Sequence, residues 1–300
     1  MRSAHHSPIG TSPITENPEI CPKCGAEVNA SLRHCLGCAT DIGFPNVRAA
    51  SAPKEIGALA SRFENARNSA ADRGVADNFN GLVTEIDSGS FVLVALPTLV
   101  ARTLFLDPRA IYAGYEDLLG AGIRTPAHPE DDSQRFAVAG KLFGSYARHI
   151  KYGVLALSDA GLPNYGRIFM RLRDEAVRHR VSFLHENSYL FLENHGVSAV
   201  DDIPIGFRST WSSRSQLVGA KLEPLLGPNI GTDEWATMLV ARGASRAEDQ
   251  FVEAHIYGSF TAQSVHSVRY FRTGASRTEK MDIEIIEELV AKQSSTGEQE

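Results

Sequence analysis

The stretch GLVTEIDSGSFVLVAL, Gly81–Leu96, decides how the fold is read. Its first half alternates, Asp87-Ser88-Gly89 carries turn residues, and Phe91–Leu96 is a β-rich run, so the pattern predicts a hairpin. A hairpin is an antiparallel unit. Elsewhere strands and helices are interspersed with no regular βαβ rhythm, no Gly-rich phosphate loop and no internal repeat. The expected fold class is therefore α+β.

Working outward, FVLVALPTLVARTLFL (Phe91–Leu106) is the most apolar segment, but Pro97 and Arg102 interrupt it and it is too short to span a bilayer. It reads as core. Upstream, Ile56, Leu59, Ala60 and Phe63 have helical spacing that lasts to about Ala71. Downstream, helices are expected at Pro108–Leu119 and Gln134–Tyr146 with the loop TPAHPEDD between them, and VLAL (Val154–Leu157) reads as a buried strand. GRIFMRL sets Arg167, Phe169 and Arg171 on one face of a strand against Ile168, Met170 and Leu172 on the other. Helices follow at Ser212–Leu226 and Asp233–Arg242. FVEAHIYGSF (Phe251–Phe260) then reads as a strand with a partner around Val265–Phe271. Alternation puts Phe251, Glu253, His255 and Tyr257 on one face and Val252, Ala254 and Ile256 on the other. A final amphipathic helix buries Met281, Ile285, Ile286, Leu289 and Val290 and turns Asp282, Glu284, Glu287 and Glu288 outward.

The 300 residues, 43% hydrophobic and 22% charged, have the composition of a soluble globular protein of about two domains. A net charge of -6 argues against coating nucleic acid or an anionic membrane by bulk electrostatics, although Lys and Arg are unevenly spread and a local basic patch is compatible with it. MRSAHHSPIGTSPITENPEI lacks the apolar run of a secretory signal, and all four cysteines fall in one short segment, so a cytoplasmic protein without a disulfide framework is expected. The organisation read from these features is a disordered tail at 1–18, a cysteine unit at 19–43, a Pro- and Ala-containing linker at 44–55, an α+β domain at 56–293 and a frayed tail at 294–300.

CPKCGAEVNASLRHCLGC places Cys21 and Cys24, then Cys35 and Cys38, in two C-x-x-C pairs. Each pair can wrap a tight turn, and four thiolates complete a tetrahedral shell suited to zinc, closed to substrate and therefore structural. Gly25 and Gly37 give the backbone freedom beside the ligands. The segment resembles the zinc-ribbon family in its CPxCG form. That resemblance implies a docking surface for a protein or nucleic-acid target, and no membrane partner is expected.

Three patches in the large domain hold residue types that chemistry uses: Arg167 and Arg171 followed by Ser182, His185, Glu186, Asn187 and Ser188; Ser209 and Thr210 after Arg208; and Glu253 with His255. A metal site built from His185, Glu186, Glu193, His195 and His255 lacks the helical H-E-x-x-H spacing, and no G-x-S-x-G nucleophile elbow is present. Arginine, Ser-Thr and glutamate together suit cleavage of the nicotinamide–ribose bond of NAD. A carboxylate stabilises the oxocarbenium-like state, a guanidinium grips pyrophosphate, a hydroxyl braces the site, and Phe251 and Tyr257 can stack on the neutral leaving ring.

The run from Arg148 to Ser188 and the strand FVEAHIYG resemble a group of bacterial ADP-ribosyltransferase-like toxin domains. The resemblance implies a mixed α/β domain with a mainly antiparallel, ADP-ribosyltransferase-like sheet, and an NAD-consuming enzyme of the toxin or defence-effector kind. It implies Glu253 as the key carboxylate with His255 beside it, and Arg167, Arg171, Ser209 and Thr210 as the NAD-binding set. The readings set against it are a non-catalytic zinc-ribbon adaptor and a metal-dependent hydrolase or nuclease.

Overall fold

The computed structural model describes residues 19–29, 31–112, 114, 129–198 and 200–296. The expected tail at 1–18, the segment 115–128 and residues 297–300 lie outside them. The chain divides into two compact units, Met1–Gly43 and Phe44–Glu300.

In the first unit, two turns repeat one hydrogen-bond pattern. Cys21 N–H reaches Ala26 O (2.8 Å) and Gly25 N–H returns to Cys21 O (3.0 Å); Cys35 N–H reaches Thr40 O (2.9 Å) and Ala39 N–H returns to Cys35 O (2.8 Å). The fourth residue after the leading cysteine is left-handed in both, Gly25 with φ 71° and Ala39 with φ 55°. Bridges Ile20–Glu27 and His34–Asp41 flank the two turns.

The second unit begins with α1 (Pro45–Ala50), α2 (Pro53–Asp72) and α3 (Ala76–Gly89). Residues 44–55, expected as a linker, are thus α1 and the first turn of α2. Asn46 is buried and donates through Nδ2 to Arg180 O, Ser182 Oγ and His255 O at 3.1, 3.1 and 2.9 Å. Glu55 is buried as well, accepting the amides of Gly206, Phe207 and Arg208 and an Arg208 guanidinium N–H.

Helix α3 corrects the predicted hairpin: Phe79, Leu82 and Ile86 are buried at helical spacing, and Asp87-Ser88-Gly89 is its last turn. The β-branched residues between them suggested a strand, but the decisive Phe79 lies before the alternating window. Next come β1 (Phe91–Leu96), α4 (Thr98–Leu106) and α5 (Pro129–Phe143), then a 3₁₀ segment (Gly144–His149) leading into β2 (Ile150–Ala156). Pro108 and Arg109 form a turn and Ile111 a bridge to Thr261, so the helix expected from Pro108 does not begin there. The expected loop TPAHPEDD ends inside α5, and its earlier residues are outside those described.

The remaining elements are β3 (Ile168–Leu172), the short α6 (Asp174–Val177), β4 (Val181–Leu184), α7 (Ser188–Asn194), β5 (Arg208–Thr210), α8 (Arg214–Leu222), α9 (Thr232–Leu239), the small ladder of β6 (Val240–Ala241) with β7 (Gln250–Phe251), β8 (Glu253–Tyr257), β9 (Val265–Tyr270) and α10 (Arg277–Thr296).

Seven strands form one antiparallel sheet in the order β5-β4-β8-β2-β1-β3-β9. The expected pairing of β8 with the strand near Val265 is not made: β8 lies between β4 and β2, while β9 pairs with β3 at the far edge. On one face, Val181, Phe183, Ala254 and Ile256 join the main core with apolar residues of α2, α3 and α8. On the other, Ile150, Leu184 and Tyr257 pack in a second cluster with α5 and α7. In α10 the buried stripe is shifted from the expected one. Ile283 and Ile286 are buried while Met281 is exposed, and Asp282 turns inward to Thr98 Oγ1 (2.9 Å) and Arg102 Nη1 (2.6 Å).

Candidate functional site

The sulfurs of Cys21, Cys24, Cys35 and Cys38 lie within 4.8 Å of one another, close enough to hold a metal ion. Cys21 and Cys38 approach to 3.7 Å and Cys24 and Cys35 to 3.6 Å. A tetrahedron of thiolates about 2.3 Å from zinc spaces its sulfurs about 3.8 Å apart, so the donor set fits that ion. Gly37 N–H points at Cys35 Sγ (3.3 Å), the kind of outer hydrogen bond that steadies a thiolate ligand.

Alternation correctly placed Glu253, His255 and Tyr257 on one face of β8, but that face is not solvated. Glu253 is 6% exposed and lies between Leu184 of β4 and Val154 of β2. Its Oε2 accepts the amide of Ser188 (2.9 Å), the Ser188 hydroxyl, and a contact from His255 Nε2 at 2.9 Å. Ser188 Oγ is also 3.2 Å from His255 Nε2. Among the described residues, all recorded hydrogen bonds to this carboxylate fall on Oε2, which leaves Oε1 for a ligand. Asn187 caps α7 through its side chain, accepting from the amides of Tyr189 and Leu190, and so fixes Ser188 at the start of the helix. Because the serine and the carboxylate share one ring nitrogen, the group does not have the relay geometry of a nucleophilic triad, in which they occupy opposite nitrogens.

Glu253 lines a cleft of about 430 Å³ whose floor is made by β1, β2 and β8. Tyr165 lies beside it, edge-on to Phe251 with centroids 5.8 Å apart, and its hydroxyl accepts from Asn187 Nδ2 at 3.2 Å. Burial first, and then the charges of Glu253 and Asp249, push the Tyr165 phenol well above its usual range, so it stays neutral. Among the described residues, four cationic side chains line the cleft, Arg135, Arg148, Lys151 and Arg246, and Glu253 is the one carboxylate. The Arg246 guanidinium sits 5.2 Å from the Tyr165 ring centre while Nε donates to Asn164 O (2.8 Å).

The other sequence-predicted residues are not gathered there. Arg171 is in the same cross-sheet row as Glu253 but three strands away, about 14 Å, and its guanidinium stacks on Phe91 at 4.0 Å. Arg167 is engaged by Glu279 (2.9 Å) and by the carbonyls of Thr273 (2.8 Å) and Gly274 (2.9 Å). Ser209 is 0% exposed and pairs with Phe183, on the sheet face opposite Glu253. Thr210 shares the His255 face two strands away, where it caps the turn Trp211–Ser213.

The histidine and acidic set also disperses. His185 Nδ1 meets Arg62 (3.3 Å), Glu186 accepts from Asn194 (3.0 Å), and His195 Nδ1 meets Phe191 O (2.9 Å). Burial, then the charges of Lys221, Arg62 and His195, pull the His185 imidazole down to about 2. Sequence reasoning did not connect Ser188, Tyr165 and Arg246 to Glu253. Ser188 stands in HENS, and its position after a strand and before a helix is the available signal.

No known family model matches this chain, and neither does any curated protein.

Proposed function

We propose that the large unit is an NAD-consuming enzyme of the ADP-ribosyltransferase type. The observation that carries the reading is the Glu253 carboxylate, buried at the cleft floor, held on Oε2 by Ser188 and His255 and open on Oε1. A preorganised carboxylate with one committed and one open oxygen suits stabilisation of a ribosyl oxocarbenium and capture of a ribose hydroxyl. Tyr165 lies beside it, its ring edge-on to the buried Phe251. Of the guanidinium groups that line the cleft, Arg246 suits a pyrophosphate, in place of Arg167 and Arg171. The cleft volume, about 430 Å³, is in the range of small-molecule sites, roughly 300–1,000 Å³. Ser188 takes the bracing role first expected of Ser209 and Thr210.

Purified protein incubated with NAD is expected to release nicotinamide, and Glu253→Gln is expected to lower the rate by on the order of a hundredfold or more. Absence of release across a panel of acceptors, or release unaffected by Glu253→Gln, refutes the reading. For the first unit the proposed ion is zinc, in a structural ribbon: one zinc per chain, lost when the cysteines are replaced, is the expected stoichiometry.

A further inference from the structure

We infer that the mouth of the cleft binds single-stranded nucleic acid, which receives the ADP-ribosyl group; the acceptor role rests on the function proposed above. Three aromatic side chains line the cleft yet stay exposed, Phe136 at 45%, Tyr152 at 38% and Tyr189 at 42%. They come from α5, β2 and α7, so separate elements of the fold converge on one rim. Arg135 and Arg148, also exposed, join them. Among the described lining residues the acidic group is Glu253 at the floor, so the described rim is cationic on a chain whose net charge is -6.

Exposed rings interleaved with guanidinium groups form a surface on which unpaired bases stack and phosphates are held. A duplex hides its bases' faces, whereas unpaired bases present theirs to rings of this kind; a polypeptide acceptor is the alternative that the label-transfer competition below decides. Tyr152 ties the mouth to the chemistry. Its ring packs edge-on against His255 with centroids 5.6 Å apart, which brings a base stacked there next to Glu253. In the transfer, the bond from ribose C1′ to the nicotinamide nitrogen breaks and its electron pair leaves with the neutral ring. A lone pair on a base nitrogen then forms the new C1′–N bond, and the proton of that nitrogen passes to Glu253 Oε1 or to water.

The test is fluorescence anisotropy of the full chain with short fluorescein-labelled single-stranded DNA and RNA, followed by label transfer from NAD radiolabelled in its adenylate. Saturable binding is expected, weakened roughly tenfold by each of Phe136→Ala and Tyr189→Ala. The slope of log affinity against log salt should shrink by about 0.7 for each of Arg135→Ala and Arg148→Ala. Arg67→Ala, a surface change on α2, is expected to leave binding unchanged, and circular dichroism checks that each variant folds. Failure of both oligonucleotides to bind at low salt, or affinity indifferent to the two aromatic changes, overturns the inference. So does label passing to polypeptide rather than oligonucleotide in a mixture holding both. Nicotinamide release without oligonucleotide binding removes the inference and keeps the enzyme; binding without NAD consumption keeps the rim as a binding surface and removes its acceptor role.

Discussion

The cysteine unit takes its whole donor set from Cys21–Cys38, whereas the cleft takes Tyr152, Tyr165, Ser188, Arg246 and Glu253 from different strands and turns of the large unit. In the first, ligand spacing is a local property of two turns, and any chain that makes the turns brings the sulfurs together. In the second, a side chain's face is local but its neighbours depend on the order of seven strands. The difference is also energetic. Among the described residues, the cysteine unit has a buried apolar cluster of only Cys21, Val28 and Cys35 with a few partly buried neighbours, too little to hold those residues folded without an ion. The large unit rests on an extensive core.

The sharpest way to break this contrast is to strip the proposed zinc. A strong chelator, or Cys35→Ala, is expected to abolish the dispersed amide signals of residues 19–43 in NMR spectra, because the proposed structural zinc would contribute about 10–16 kcal/mol. Signals that persist without an ion would mean the unit is held by its own contacts.

A smaller effect probes the cleft. Ser188→Ala removes the hydroxyl donor to Glu253 while keeping the amide, and kcat for nicotinamide release is expected to fall roughly ten- to a hundredfold with KM little changed. An unaltered kcat would show that Glu253 does not depend on what this distant turn supplies.

What could be read from sequence follows the same division. The two C-x-x-C pairs announced their cluster, and the period-two pattern placed Glu253 and His255 on one face. The same pattern put Arg171 on a face but could not say that β2 and β1 would stand between it and Glu253. Ser209 was misassigned for a related reason: its neighbours Arg208 and Thr210 turn toward the Glu253 side, and it turns to the core. Helix α3 escapes a period-two reading because Val83, Thr84 and Ile86 are β-formers, while its buried stripe of Phe79, Leu82 and Ile86 begins before that window.

Acid should test the large unit's buried polar contacts. The folded pKa of His185, about 2, is below the ordinary value of 6.5, so the unfolded chain binds the extra proton. Its contribution to stability is therefore complete above about pH 6.5 and is lost as pH falls toward 2, by at most about 1.4 kcal/mol per pH unit. Urea titrations are expected to show this acid limb, flattened in His185→Gln. A limb of the same slope in that variant would assign it to other groups.

The smallest expected change returns to the two metal turns. Ala39 adopts the left-handed conformation that Gly25 adopts at the equivalent place. Ala39→Gly should relieve about 1 kcal/mol, read as roughly fivefold tighter zinc retention in competition with a chelator. Gly25→Ala should shift it the other way, and equal retention in both variants would show the turns to be inequivalent.

Asn46 also matters to how this molecule is made. It hydrogen-bonds the carbonyl of His255, 209 positions later in the chain. At translation rates of about 5–20 residues per second, α1 therefore leaves the ribosome roughly ten to forty seconds before its partner strand exists. A growing or prematurely ended chain carries that helix unclasped, and a protease that trims the finished protein past Ala50 would strip a donor from the backbone of β8 beside the carboxylate. Residues 44–55 are thus a late-closing clamp on the sheet.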